Sequence, residues 1–461
     1  MGQQYLTIYD LLLSPFYLLL LSYLGKRHRD KKYPVGHPLR KYYLPGLYVK
    51  FAGAIFIALI YQYYYGFGDT FNFFYHAKVI NSALDDSFVT WIKLLFRTPV
   101  DSDPKLYPYV VQMFWYNEIS SYTVSSIAAV LGLLNFTSYI PIALLFAYFS
   151  YSGIWAMYRT FTRIYPNLTK ELALAFLFVP STVVWGSGLF KDTICMFGLG
   201  WMTHCVFRLF LDRDVSMKNF ILIALSFYLI GIIKLYILLA FLPALGLWLL
   251  LSYSHKIRSS ALRWMVNIIF VGICVGGFFF FTNYFSKSLD EYSLDKVAQT
   301  AEKTRVYIGY MSDIQEGSGY DLGKFDPSIG GMLLKFPQAV VVTLFRPFLW
   351  EVRKPIVALS ALEGLVFLYF TLRLFYKRGF TILKWTIKDP NLIFFFVFSL
   401  IFAFAVGIST YNFGSLSRYK IPCMPFYSAF LIILINREKM TRKVKLKVNK
   451  LQPKWAQQSI S

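Results

Sequence analysis

Asp69 carries the first chemical signal in this sequence. It follows the apolar run 46–65 and opens the stretch Asp69-Thr70-Phe71-Asn72-Phe73-Phe74-Tyr75-His76-Ala77, after Gly66-Phe67-Gly68. A carboxylate at the edge of a membrane span is costly unless function needs it. The chemistry open to it is general-base work, taking a proton from an acceptor hydroxyl. Four further junctions between apolar runs carry charge: Lys191-Asp192, Lys234, Arg346 to Arg353 with Glu351 between them, and Arg418 with Lys420. Arg presents a bidentate fork to phosphate oxygens and Lys a compact charge. Tyr75, Trp185 and Trp350 offer aromatic faces on which a sugar ring can stack. The pattern fits a membrane-dissolved substrate with phosphate at headgroup level, such as a polyprenyl phosphate or diphosphate carrying a sugar.

The chain has to place these groups on one rim. It has 461 residues, 57% of them hydrophobic and 20% aromatic, too apolar for a soluble protein. Its formal net charge of +23 sits mostly beside apolar runs, which reads as basic loops on the cytoplasmic side rather than nucleic-acid binding. Cys195, Cys205, Cys274 and Cys423 lie in or beside apolar runs and read as buried thiols. The first span, 5–24, precedes the basic block Lys26 to Lys32, and the second, 46–65, delivers Asp69 to the outer face. Residues 78–97 read as an amphipathic interfacial helix, and 122–135 as a short re-entrant or interfacial one. Spans follow at 138–158, 171–187 and 193–211. The run 218–252 is twice one span and reads as a hairpin with Lys234 at its tip. A span at 264–282 leads to a polar loop, and three more follow at 356–376, 391–411 and 421–436.

The expectation is an all-α polytopic membrane protein of about eleven spans, without a large soluble domain. An extra span and basic loop occupy 1–45, the main membrane domain 46–436, with outer loops at 67–137 and 283–355, and a basic tail 437–461. Both strong basic blocks then fall on the cytoplasmic side, with the N-terminus and the Asp69 rim outside.

The run Gly68-Asp69-Thr70, followed by Tyr75-His76-Ala77, after an apolar span resembles the GT-C superfamily of polytopic glycosyltransferases. Pro180-Ser181, Trp185-Gly186-Ser187-Gly188 and Lys191-Asp192 look like the outer hairpin of bacterial membrane sugar transferases, and Arg418-Tyr419-Lys420-Ile421-Pro422 is similar to a late segment of them. The resemblance implies that Asp69 is the catalytic Asp of the first large outer loop. It further implies a polyprenyl-linked sugar donor, a glycan, lipid or protein acceptor, and a site on the outer face of a bacterial inner membrane. The sequence departs from the family at Thr70, where many members carry a second acid, so no cofactor is assigned and a divalent metal stays open. The family usually ends in a soluble outer domain, and none is visible here. A polysaccharide polymerase or ligase is a close variant, and a flippase of lipid-linked saccharide is a rival from another class.

Each residue also has a plainer reading. Asp69 can cap an interfacial helix, Lys191 and Asp192 can compensate each other, and Lys234 can reach toward headgroups. Arg346, Glu351 and Arg353 can form a structural ion-pair knot, and Arg418 and Lys420 can be interface anchors. His76 reads as a structural hydrogen-bonder.

Overall fold

Seven helices among the described residues are long and apolar enough to cross a membrane, eight when a bent pair is taken as one span. This computed structural model describes residues 5–254 and 329–451, with side chains to 437, and between them 259, 265, 272, 306, 310, 319, 320, 322 and 323. The expected span at 264–282, most of the polar loop after it and Cys274 therefore lie outside the described residues. Every regular element described is a helix, so the described part of the chain is all-helical, and its long apolar helices are those of a polytopic membrane protein.

Helix α1 (Ile8–Lys32) absorbs the basic block into its last two turns instead of ending before it. Buried Asp10 accepts from the backbone N–H of Thr7, the residue before α1, and from that of Ile140, which caps the start of α7 (Tyr139–Ile164). Helix α2 (Arg40–Ile60) continues as one π turn, Tyr61–Tyr65, and stops at Gly66.

The expected single helix at 78–97 is instead two. Helix α3 (Asp69–Ser82) ends before Asp85-Asp86, and α4 (Phe88–Leu95) restarts with the Ser87 side chain accepting from the Val89 N–H. The polar group Asp85-Asp86-Ser87 favours a turn and an N-cap over helix interior. Phe71, Phe74, Ala77 and Ile80, three apart, are buried on one face of α3. After the short α5 (Tyr107–Val110) comes α6 (Ile119–Gly132), which packs on α3 and, at 14 residues, is shorter than a span.

The run 171–187 is broken as well. Helix α8 (Thr169–Leu177) ends, and α9 (Pro180–Trp185) starts with Pro180 in its first turn, where the missing N–H costs nothing. Helix α10 (Lys191–Leu211) packs tightly on α7. The crossing needs Gly153 and Gly200, because a Cβ on either would run into the other helix's backbone.

Helix α11 (Met217–Ser254) is interrupted at Lys234, whose φ of −148° and ψ of 75° are not helical. Both limbs lie along α10. Ile230 meets Gly198 and Lys234 reaches Asp192, yet Trp248 stacks on Phe207 at 4.0 Å and the Tyr253 hydroxyl donates to the Phe210 carbonyl. The chain thus turns back at Lys234, since a straight helix of this length would carry Tyr253 away from Phe210.

The later helices are α12 (Ile329–Leu334), α13 (Phe336–Phe345), α14 (Pro355–Arg378), α15 (Thr381–Ile387), α16 (Pro390–Ser409), α17 (Phe413–Tyr419) and α18 (Met424–Leu451). Helices α17 and α18 form the bent pair, at 69°. The expected tail from 437 begins inside α18.

Contacts sort the helix ends into two groups. At one, Arg40 pairs with Asp30, Arg163 with Asp212, Arg208 with Asp214, Tyr165 with Asp389, and Arg437 donates to the Trp385 carbonyl. The other gathers Asp69, Asp192, Lys234 and Arg418.

Candidate functional site

The site begins with a turn. Gly66 and Gly68 have φ of 73° and 143°, a region that side chains avoid, and they swing the chain from the π turn of α2 into α3. A Cβ on Gly68 would strike the Tyr61 ring. Asp69 is thus the first residue of α3, where the helix dipole favours a carboxylate. Its side chain is 48% exposed. Thr70 turns the other way: it is fully buried and its hydroxyl lies 2.5 Å from the Tyr139 hydroxyl. A second acid at 70 would point into the protein core, away from Asp69's open side.

An alternating chain of charges runs inward from Asp69. Arg418 donates through one terminal nitrogen to Asp69 Oδ2 at 2.9 Å and through Nε to Asp192 Oδ2 at 2.7 Å. Lys234 Nζ closes the row on Asp192 Oδ1. Asp192 is fully buried, and Lys234 and Arg418 are nearly so. Phe190 lies 4.3 Å under the Arg418 guanidinium and the Tyr419 ring 4.5 Å from the Lys234 ammonium. The break in α11 brings Lys234 to Asp192, and the bend between α17 and α18 brings Arg418 to both acids.

Beneath this row, α9 is held at both ends. Glu363 of α14 accepts from the Ser181 N–H at 2.7 Å. Lys50 of α2 donates to the carbonyls of Thr182 and Gly186, at 3.1 and 2.7 Å, and lies 3.4 Å from the Ser150 hydroxyl. A carboxylate at the N-terminus and an ammonium at the C-terminus suit the helix dipole. Lys420 lies fully buried beside Glu363, with 3.9 Å between Nζ and Oε1.

Of the residues read from the sequence, Asp69, Asp192, Lys234 and Arg418 come together. Lys191 parts from Asp192 and pairs with Glu118 at 2.8 Å and Ser120 at 2.9 Å. Burial alone would raise the Glu118 carboxyl, but the hydrogen bond and charge of Lys191 outweigh it and hold the group below its ordinary value. Arg346 forks onto Glu351, which also accepts from the Phe348 N–H at 2.8 Å. Those bonds lower the Glu351 carboxyl against the opposing effect of burial. Arg346 also lies 5.2 Å from the Phe413 ring, beside the start of α17. Arg353 is exposed. Trp350 is 81% exposed and stacks on Phe348, while Tyr75 sits at the surface of α3.

Two expected binding residues face inward. Trp185 is buried near Phe190 and Lys420 is buried beside Glu363, so neither presents its side chain to the open side of Asp69. The expectation for His76 also changes. It is buried between Phe114 and Trp115, and neither ring nitrogen has a hydrogen-bond partner among the described residues. Burial pulls it down to about 4.

Lys50 and Glu118 were not foreseen. Lys50 had a signal, a lone charge inside an apolar run; Glu118 had none beyond being an acid in a polar loop. No three His, Cys, Asp or Glu side chains converge in metal-binding fashion among the described residues. Comparison with protein-family models, curated proteins and solved structures gave no match for this chain.

Proposed function

We propose that this chain is a membrane glycosyltransferase resembling the GT-C enzymes, moving a sugar from a polyprenyl-phosphate-linked donor to an acceptor, with Asp69 as general base. The observation that carries the reading is the state of that carboxylate. Arg418 holds one oxygen by a charge-assisted hydrogen bond, Asp192 holds Arg418, and the other face of Asp69 is open. A positioned carboxylate with one open side is what proton abstraction from an acceptor hydroxyl requires. Tyr63, Tyr64 and Phe67, all exposed on the same turn, suit the interfacial belt in which a lipid-linked donor would lie.

The charges assign the remaining work. Asp69, Arg418, Asp192 and Lys234 sum to zero, so the row positions the base and is no ready phosphate cradle. The same sum cancels Arg346 with Glu351 and Lys191 with Glu118, so of the expected phosphate binders the exposed Arg353 is left for the donor phosphate. The site then faces outward in a bacterial inner membrane, with the opposite, basic end in the cytoplasm.

The test is a transfer assay on purified protein in nanodiscs, offered polyprenyl-phosphate and diphosphate sugars. Wild type is expected to release sugar and Asp69→Asn to lose at least a hundredfold in turnover while still binding donor. Turnover unchanged in Asp69→Asn removes the base; donor binding without turnover in either protein removes the enzyme.

A further inference from the structure

The buried face between α9, α14 and the α17–α18 bend holds more polar groups than its protein partners satisfy. Lys420 Nζ, Glu363 Oε1 and the hydroxyls of Ser181, Thr182 and Ser360 are all buried, and none has a hydrogen-bond partner among the described residues. They lie on elements that pack together: α14 against α9 and α17, and α17 against α9. Glu363 already binds the Ser181 N–H, Ser360 lies one turn before Glu363 on α14, Thr182 follows Ser181, and Lys420 is 3.9 Å from Glu363 Oε1. Such groups are rarely left unpaired in folded proteins, and a buried ammonium least of all.

The chemistry of the cluster selects what completes it. A cation would sit against the Lys420 ammonium, and an anion against the Glu363 carboxylate. The gap of 3.9 Å is too long for a direct hydrogen bond but short enough for one molecule to touch both groups. The missing partner must accept from an ammonium, donate to a carboxylate and exchange bonds with hydroxyls. We propose that this cluster is an internal water site, holding one or more water molecules that bridge Lys420 to Glu363 and the hydroxyls of α9 and α14. A buried water typically makes about three hydrogen bonds, and this site offers them. The site gives buried Lys420 the hydrogen-bond partner that its protein neighbours do not supply. It does not depend on the glycosyltransferase reading.

The test is an experimental structure of the full chain in nanodiscs, at a resolution that shows ordered water, prepared once in sodium chloride and once in rubidium bromide. The expected result is density about 2.7–3.2 Å from Lys420 Nζ and Glu363 Oε1, the same in both salts. Density that strengthens with the heavier salt identifies an ion and overturns the proposal. A direct Lys420–Glu363 hydrogen bond with no density between the hydroxyls overturns it as well. Radiolytic labelling of the same sample gives a second reading. Cys423, whose thiol donates to the Lys420 carbonyl at 3.1 Å, is buried. It should be oxidised in the folded protein several times faster than buried Cys205 if water stands nearby; equal rates count against the site.

Discussion

Arg418 decides the geometry of the site because one guanidinium serves two acids on different helices. Replacing it by Met leaves buried Asp192 with Lys234 alone and Asp69 unheld. Loss of one partner of a buried ion pair typically costs about 3–5 kcal/mol. Arg418→Met is therefore expected to lower thermal stability and abolish transfer. Arg418→Lys should recover part of the stability but little of the activity, since an ammonium lacks the fork that reaches both carboxylates. A thermal melt run beside the transfer assay separates the two effects. His76 gives a pH signature at the same scale. Its ordinary value is 6.5 and in the folded protein it falls to about 4, so the unfolded chain takes up the proton first. This contribution to stability is whole above 6.5 and is lost as pH falls toward 4. Wild type should melt earlier at pH 5 than at pH 7, and His76→Phe, which suits the apolar box of Phe114 and Trp115, should show a smaller difference.

At the scale of elements, the breaks position the chemistry. Lys234 at the break in α11, Asp192 at the start of α10 and Arg418 before the α17–α18 bend are charges placed where helices stop. The sequence showed this much, because a lone charge within or between apolar runs marks such a junction. It did not show that the three junctions meet, since Asp192 and Arg418 are 226 residues apart and Asp69 and Arg418 are 349 apart. Nor did it show that Lys191 and Asp192, adjacent in sequence, serve different partners. That depends on helical rotation: α10 turns Asp192 inward and leaves Lys191 facing Glu118. Lys50 carried the same lone-charge signal, but its role depends on where the α8–α9 run breaks. Lys50→Met is expected to loosen α9 specifically, read as faster hydrogen exchange across Thr182–Gly186, with the distant α16 unchanged.

For the whole molecule, the two groups of helix ends make a topological prediction that does not depend on the enzyme reading. Reporters placed after Ser82 and at Lys191 should read the same side of the membrane, and one at Asp214 the opposite side. On the orientation proposed above, the Asp214 side is the cytoplasmic one. Signals from one side at all three positions would contradict the crossing by α10. Composition made the membrane class legible from the outset, and long uninterrupted runs such as 391–411 yielded their helices nearly at once. The run 171–187 and the amphipathic stretch 78–97 were less legible, because Pro180 and Asp85-Asp86 break helices locally while overall apolar periodicity continues past them.

The wide sequence spacing of the charged row bears on how the protein is made. Asp192 and Lys234 leave the ribosome early and can enter the bilayer as a neutral pair. Arg418 emerges 226 residues after Asp192, a delay of roughly 10–45 s at ordinary synthesis rates. Until then Asp69 lacks its Arg418 partner. The charged row is thus among the last contacts the nascent chain completes. A chain that stalls or is cut before Arg418 would insert most of its helices yet leave Asp192 with Lys234 alone and Asp69 unheld.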